Sequence, residues 1–531
     1  MNIRVQRPSE RLSAEARNAI RSKDWNRVAA CASEILRQDA RSAEGHFLAG
    51  LVEKVAGRPA KAAEAFAQAL ELDASRHDAA IELADQYAIA RRNGDAAALL
   101  SRYVDKLDNS PRYLDMAGTI YSQIGLPDKA MPLYRRANEL QPGMPLFQAN
   151  LAACGVYVGE IQEAKALYRE LLERNPTHQR NHYHLSRLER ARDDSHVRQM
   201  QEVLRTTGLT PDKNVFMSFA IGKELEDLGR WEEAFRYYKM AGDAVASVAE
   251  YDVATDEMLI DRIIETCDAS WLATNPHKAG SDGTGKRPIF VVGLPRTGST
   301  LSERILASHS QVASVGETEF LQMTLRKISG VASIDNMNPA MIEAAARQDI
   351  GLVADGYMSS VAYLLGEAPM FIEKLPFNFL YLGFVAKAWP DAGILYVRRN
   401  PMDACFAMYK QVFTWAYKFS YSLDWLGRYY IAHRRLLQHW RQVLGERLVE
   451  VEYESLVADQ ENQTRQFLER LSLPFEPACL EFDKNATATT TASSVQVREP
   501  IHARSVHRWK HFARELQPLR EQLEAAGIAV E

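Results

Sequence analysis

A chain of 531 residues exceeds what one ordinary hydrophobic core supports, so two or more domains are expected. With 46% hydrophobic and 25% charged residues, and 64 basic against 69 acidic side chains for a net charge of −5, it has ordinary globular composition and no support for general nucleic-acid or membrane-surface binding. Five scattered cysteines (Cys31, Cys154, Cys267, Cys405 and Cys479) with no Cys-x-x-Cys pair suggest neither a disulfide framework nor a zinc site, and fit a reducing compartment. The first residues lack a signal peptide's apolar stretch and no apolar run reaches bilayer length, so a cytoplasmic protein without a membrane span is expected.

The N-terminal half repeats with a period of 34 residues: Gly125 recurs as Gly159, Ala130 as Ala164, Tyr134 as Tyr168 and Pro142 as Pro176. Backwards along the chain, the Ala130 position becomes Ala96 and Ala62, and the Tyr134 position becomes Leu100 and Phe66. Small residues at Gly50, Ala84, Gly118 and Ala152 keep the same step, and after a degenerate unit Gly222, Gly229, Ala234, Tyr238 and Ala241 resume it with a two-residue slip. The period predicts two short antiparallel helices per unit, with small residues permitting close contact, an aromatic filling the gap and a proline ending the second helix. One such unit cannot bury its own apolar face, so several must stack. The pattern resembles tetratricopeptide repeats over residues 10–245, which implies either a scaffold or dimerisation surface, or a concave groove that presents a peptide or protein.

Residues 246–286 read as a helical connector and linker, the turn-rich stretch 275–286 being its most exposed part. From residue 287 to 531 short β-rich runs alternate with helical patterns. Strands are predicted at Pro288–Val292, Gln311–Val315, Met370–Glu373, Ile394–Arg398 and Leu448–Glu452, giving an α/β domain with a mostly parallel sheet and helices on both faces.

The first strand runs into Gly293-Leu-Pro-Arg-Thr-Gly-Ser-Thr300 and then a helix, an arrangement that turns backbone N–H groups and the positive end of a helix dipole toward an anion. The two glycines have Walker A spacing, but Ser299 stands where the lysine would be, and no persuasive Walker B carboxylate follows a later strand. Arg296 supplies positive charge instead. The loop, together with Tyr396-Val-Arg-Arg-Asn-Pro-Met-Asp403, Tyr453-Glu-Ser-Leu-Val457 and Thr491-Ala-Ser-Ser-Val-Gln-Val-Arg498, resembles the sulfotransferases that use 3′-phosphoadenosine 5′-phosphosulfate (PAPS). It is most similar to the tyrosylprotein sulfotransferases and the bacterial proteins that join such a domain to tetratricopeptide repeats.

That resemblance implies a P-loop-like sulfotransferase domain and assigns roles. Arg296, Thr297, Gly298, Ser299 and Thr300 would bind the 5′-phosphosulfate, and Arg399, or its neighbour Arg398, the 3′-phosphate. Tyr453 would lie near the adenine or serve in packing, and Arg498 is a further 3′-phosphate candidate. Glu317, in Val-Gly-Glu-Thr, would be the catalytic base, with a structural ion pair to Arg296 or Arg304 as the alternative. Lys374 would bond the bridging oxygen, and Ser493 would act near the sulfate and leaving oxygen; His309 reads as structural. The family's serine eight residues after the arginine is Ala407 here, which removes one phosphate hydrogen bond. The glycine loop, Glu317, Lys374, Arg399 and Tyr453 all fall at or just past the C-terminal ends of predicted strands, the edge where open α/β sheets bind ligands. No metal is implied. The expected activity is transfer of a sulfuryl group from PAPS to a hydroxyl, with a peptide or protein on the repeat groove among the acceptors. The alternatives are a catalytically silent scaffold and a nucleotide-hydrolysing enzyme.

Overall fold

The structure, a computed structural model, describes residues 8–531 apart from 108–109, 209, 275–276, 278–284, 333–336, 414–415 and 492. The chain divides into two compact units between Cys154 and Gly155. The predicted exposed linker at 275–286 lies largely outside the described residues.

The first unit is an array of helical hairpins, among them Ala43–Val55 with Pro59–Leu72, His77–Ile89 with Asn93–Tyr103, and Pro111–Gln123 with Pro127–Leu140. Lys23, Gly57, Arg91 and Gly125 recur at the repeat spacing in the turns between paired helices, all with left-handed φ (59, 71, 58 and 83°). The hairpin geometry therefore holds even where a side chain makes that conformation cost about 1–2 kcal/mol. Inside each hairpin the small residue of the first helix receives the large one of the second. A Cβ at Gly50 would lie 2.5 Å from the Phe66 ring, and one at Gly118 2.9 Å from the Tyr134 ring.

In the second unit the repeat pattern continues through the helices Gln179–Leu188, Ser195–Thr207, Val215–Asp227 and Trp231–Val248. Their outer faces pack on the sheet domain: Phe235 stacks on Tyr409 (5.9 Å between centroids), and buried Glu226 joins Lys410 (2.5 Å), Arg508 (3.0 Å) and the Tyr238 hydroxyl (2.9 Å). These contacts explain why the chain divides inside the periodic region and not at its end. The connector helix Val253–Thr266 is tied to the long helix Leu423–Leu444 by Glu257 and Arg428.

The sheet has five strands: β1 (Arg287–Gly293), β2 (Val312–Gly316), β3 (Met370–Glu373), β4 (Gly393–Arg398) and β5 (Leu448–Glu452). Their order is β2-β3-β1-β4-β5 and every pairing is parallel. Each predicted strand is present within a residue of its expected ends. In β1, Phe290 and Val292 enter one apolar core while Ile289 and Val291 enter the other, as a sheet covered on both faces requires. All five cysteines are buried and none forms a disulfide.

Candidate active site

The turn after β1 is shaped by its backbone. Gly293 (φ 145°) lies so close to the Val397 carbonyl that a Cβ there would collide with it, and Gly298 (φ 103°) lies against the Tyr453 ring. Between them Arg296 takes a left-handed φ of 65°, and the Thr297 hydroxyl donates to the Leu294 carbonyl at 2.7 Å. The helix Ser299–Ala307 starts immediately after Gly298, and its first N–H groups have no partner within the helix.

A cleft open to solvent lies beside this turn, with Arg296, Gly298, Ser299, Thr300, Arg399 and Tyr453 in its wall. Ser493 and Gln496, from the irregular C-terminal segment, complete that side. Arg296 donates to the Ser493 hydroxyl and to Gln496 Oε1 (2.9 Å), both neutral acceptors. Burial, then the neighbouring Arg187 and Arg399, push the Arg296 guanidinium down to about 10. Arg399 crosses over the Tyr453 ring (4.9 Å to its centroid) and donates to the Arg296 carbonyl (2.9 Å) and the Ser505 carbonyl. Its buried Nε finds no hydrogen-bond partner among the described residues. Glu499, the acidic side chain in the wall, is engaged by Arg504.

At the ends of β2 and β3 lies a second cluster, which reaches the loop's own helix through Glu303. Lys374 is fully buried, donates to Glu317 and stands 3.6 Å from Glu303 on the loop's own helix. Burial disfavours its charge, but Glu317 and Glu303 outweigh that and raise its basicity. Glu317 thus pairs with Lys374 and with neither Arg296 nor Arg304. Arg304 is held by the Thr487 and Asn485 carbonyls.

Residues 288–477 match the model of the sulfotransferase family. Residues 111–143 match a tetratricopeptide repeat. Relatives of the chain include an uncharacterized protein of Aquifex aeolicus, 28% identical over 79% of this chain and 56% of its own length. The protein-tyrosine sulfotransferase of Drosophila melanogaster is 22% identical, over 42% of this chain and 46% of that one. Protein-tyrosine sulfotransferase 1 of Danio rerio is 25% identical, over 42% and 65%. The chain therefore spans between about half and two thirds of the length of these three relatives.

Within the sheet domain the structure sorts the expected residues. Arg296, Gly298, Ser299, Thr300, Arg399, Tyr453 and Ser493 share one cavity wall. Glu317 and Lys374 form their own pair and do not line that cavity, while the Thr297 side chain turns back onto the loop. Arg398 leaves the site for Glu450 of the neighbouring strand (2.5 Å). Arg498 is drawn to the Tyr157 carbonyl (2.8 Å), and His309 bridges the Pro474 carbonyl (2.9 Å) as a structural histidine. Ala407 lies on the helix Pro401–Tyr409, outside the wall. Glu303 and Gln496 were not singled out from sequence: each carries the signal of an ordinary polar surface position, and only the fold brings them inward. No group of three or more metal-ligating side chains is present among the described residues, nor any helix long and apolar enough to cross a membrane.

Proposed function

We propose that this chain transfers a sulfuryl group from PAPS to a hydroxyl acceptor, a peptide or protein held by the repeat array. The observation that carries the reading is the excess of positive charge in the cleft. Arg296 is satisfied by neutral groups, and the Asp403 carboxylate, 4.0 Å from Arg399, is already bonded by the His507 and Trp509 N–H groups. Buried guanidiniums that no carboxylate hydrogen-bonds suit an anionic ligand. The unpartnered Arg399 Nε and the open N-terminus of the helix Ser299–Ala307 fit a bisphosphate nucleotide bearing a terminal sulfate.

PAPS supplies the sulfuryl group and a nucleotide leaving group. The loop N–H groups with Ser299 and Thr300 hold its 5′ end, Arg399 its 3′-phosphate, and Tyr453 offers a ring to the adenine. Glu317 removes the acceptor's proton, Lys374 donates to the oxygen on which charge develops as the sulfur–oxygen bond breaks, and Ser493 with Arg296 orients the sulfate. Transfer between oxygens through a loose transition state asks for this kind of positioning and charge stabilisation. Residues 10–245 form the repeat array in this reading, 246–286 the connector and 287–531 the transferase domain. The five buried cysteines, none of them in a disulfide, support a reducing, cytoplasmic setting.

The test is calorimetric titration with 3′,5′-adenosine diphosphate, beside ATP with magnesium and an Arg296→Ala control. Micromolar binding of the bisphosphate that the variant loses, followed by transfer from labelled PAPS to hydroxyl acceptors, is expected. Absence of bisphosphate binding would overturn the reading.

A further inference from the structure

Lys374 is shared between two carboxylates that differ in how firmly they are held. Glu317 follows the left-handed Gly316 and keeps 32% of its side chain exposed. Glu303 belongs to the helix Ser299–Ala307, with a side chain only 7% exposed. Its Oε1 accepts from the Ser314 hydroxyl at 2.6 Å, and the same hydroxyl oxygen accepts from the Gly316 N–H at 3.0 Å, so one bridge fixes Glu303 to the end of β2. Glu303 Oε2 accepts no hydrogen bond and stands 3.6 Å from Lys374 Nζ. Lys374 is itself fixed through its backbone N–H, which donates to the Gly316 carbonyl at 2.9 Å.

We propose that Glu303 is a positioning residue for sulfuryl transfer, a fixed counter-charge that keeps Lys374 protonated and in place when Glu317 leaves it for the acceptor. The proposal rests on the function proposed above and deepens it. A base paired with Lys374 is not available to an acceptor, so Glu317 must let go. In the transfer, the acceptor oxygen forms its bond to sulfur and its proton passes to Glu317. The bond from sulfur to the bridging oxygen breaks, and that oxygen leaves on 3′,5′-adenosine diphosphate with its new charge facing Lys374. At that moment Glu317 is neutral and no longer supports the ammonium. A lone buried ammonium is disfavoured and sheds its proton readily. Glu303 removes that weakness: it has a free acceptor oxygen within a short movement of Nζ, and it does not take part in the proton transfer.

The charged and titratable groups facing this pair are few. Lys374, Glu317 and Arg304 surround Glu303, with Ser314 as its hydrogen-bond donor, and Glu317 and Glu303 surround Lys374. Burial raises the Glu303 carboxyl, and Lys374 opposes that rise.

The experiment compares the full chain with its Glu303→Gln variant, following release of 3′,5′-adenosine diphosphate from PAPS across pH and bisphosphate affinity by calorimetry. The expected result is an unchanged bisphosphate Kd, a kcat about tenfold lower at neutral pH because Lys374 is less well placed, with KM for PAPS held within about twofold, and, as a separate effect, a basic limb displaced downward by about one pH unit. Should Glu303→Gln fail to fold, Ser314→Ala, which loosens Glu303 without removing its charge, is expected to move the basic limb the same way by less. Superimposable pH profiles for variant and parent would overturn the role of Glu303 while leaving the sulfotransferase reading intact. A parent that neither binds the bisphosphate nor consumes PAPS would overturn both.

Discussion

Arg398 and Arg399 are adjacent in sequence and face different partners at the end of β4. Arg398 Nε meets Glu450 of β5 at 2.5 Å, whereas Arg399 lies over Tyr453 and bonds the carbonyl of Arg296. The first arginine ties two strands together and the second furnishes the cavity. Substitution should separate them. Arg399→Ala is expected to weaken 3′,5′-adenosine diphosphate binding about 10- to 100-fold, the worth of a charge-assisted hydrogen bond or two. Arg398→Ala is expected to leave the affinity within about threefold while lowering the melting temperature. Calorimetry with thermal denaturation on both variants decides it; equal losses of affinity would contradict the division of labour.

Gly298 meets two demands at once. Its φ of 103° lies outside what a side chain accepts comfortably, and a Cβ there would come within 2.5 Å of the Tyr453 ring. Gly298→Ala should therefore cost about 1–3 kcal/mol in stability and displace the loop, with bisphosphate affinity falling at least tenfold. Gly330 makes the control. It ends the helix Phe320–Ser329 with φ 65° and nothing within 4 Å of its missing Cβ, so Gly330→Ala meets the backbone penalty alone. If both variants bind the bisphosphate like the parent, the close approach at Gly298 has no role in the cavity.

The sequence announced the strands and one edge of the site, because apolar runs such as Ile289–Val292 end abruptly at glycine or at charge, and that punctuation survives folding. It announced the helix pairs too, through the spacing of Gly118 and Tyr134. It was silent on two matters. The repeat pattern of Phe235 and Tyr238 looks the same whether the helix packs on another repeat or on Tyr409 and Phe406, so the division of the chain at 154 left no mark in the period. The part of the cavity wall that includes Phe482, Ser493, Gln496 and Ser505 has no periodicity, its described residues lying in 3₁₀ turns and irregular backbone, so Gln496 gave no signal. Glu303 reads as one more charged helix residue until Ser314 and Lys374 are placed beside it.

The repeat hairpins offer a test internal to the sequence. Gly118 pairs with Tyr134, and one period earlier Ala84 stands at the same position opposite Leu100. Gly118→Ala puts a Cβ 2.9 Å from the Tyr134 ring and should destabilise the array by about 1–3 kcal/mol through overpacking. Adding Tyr134→Leu recreates the natural Ala–Leu pair and should recover most of that loss, although it gives up the Tyr134 hydroxyl's 3.3 Å contact with Thr119. A double-mutant cycle by denaturant unfolding measures the coupling, and additive losses would show that the two positions do not share one packing space.

Glu373, the last residue of β3 and fully buried, gives the clearest dependence on pH. Burial pushes its carboxyl from about 4.5 up to about 7, against the nearby Tyr357 and Thr318 hydroxyls and the hydrogen bond donated by Asn378, which favour the charged form. Because the folded carboxyl holds its proton more tightly than the unfolded one, its contribution to stability is complete below about pH 4.5. It is lost as pH rises through about 7, amounting to about 3 kcal/mol over that window. Glu373→Gln carries a permanently neutral group of the same shape, and its Oε1 can still accept from Asn378 Nδ2, 2.9 Å away in the parent. The variant should melt close to the parent at pH 5 and above it at pH 8, so that the difference between their melting temperatures grows across the neutral range. Melting curves that stay parallel from pH 5 to 8 would show that Glu373 ionises as easily inside the fold as outside it.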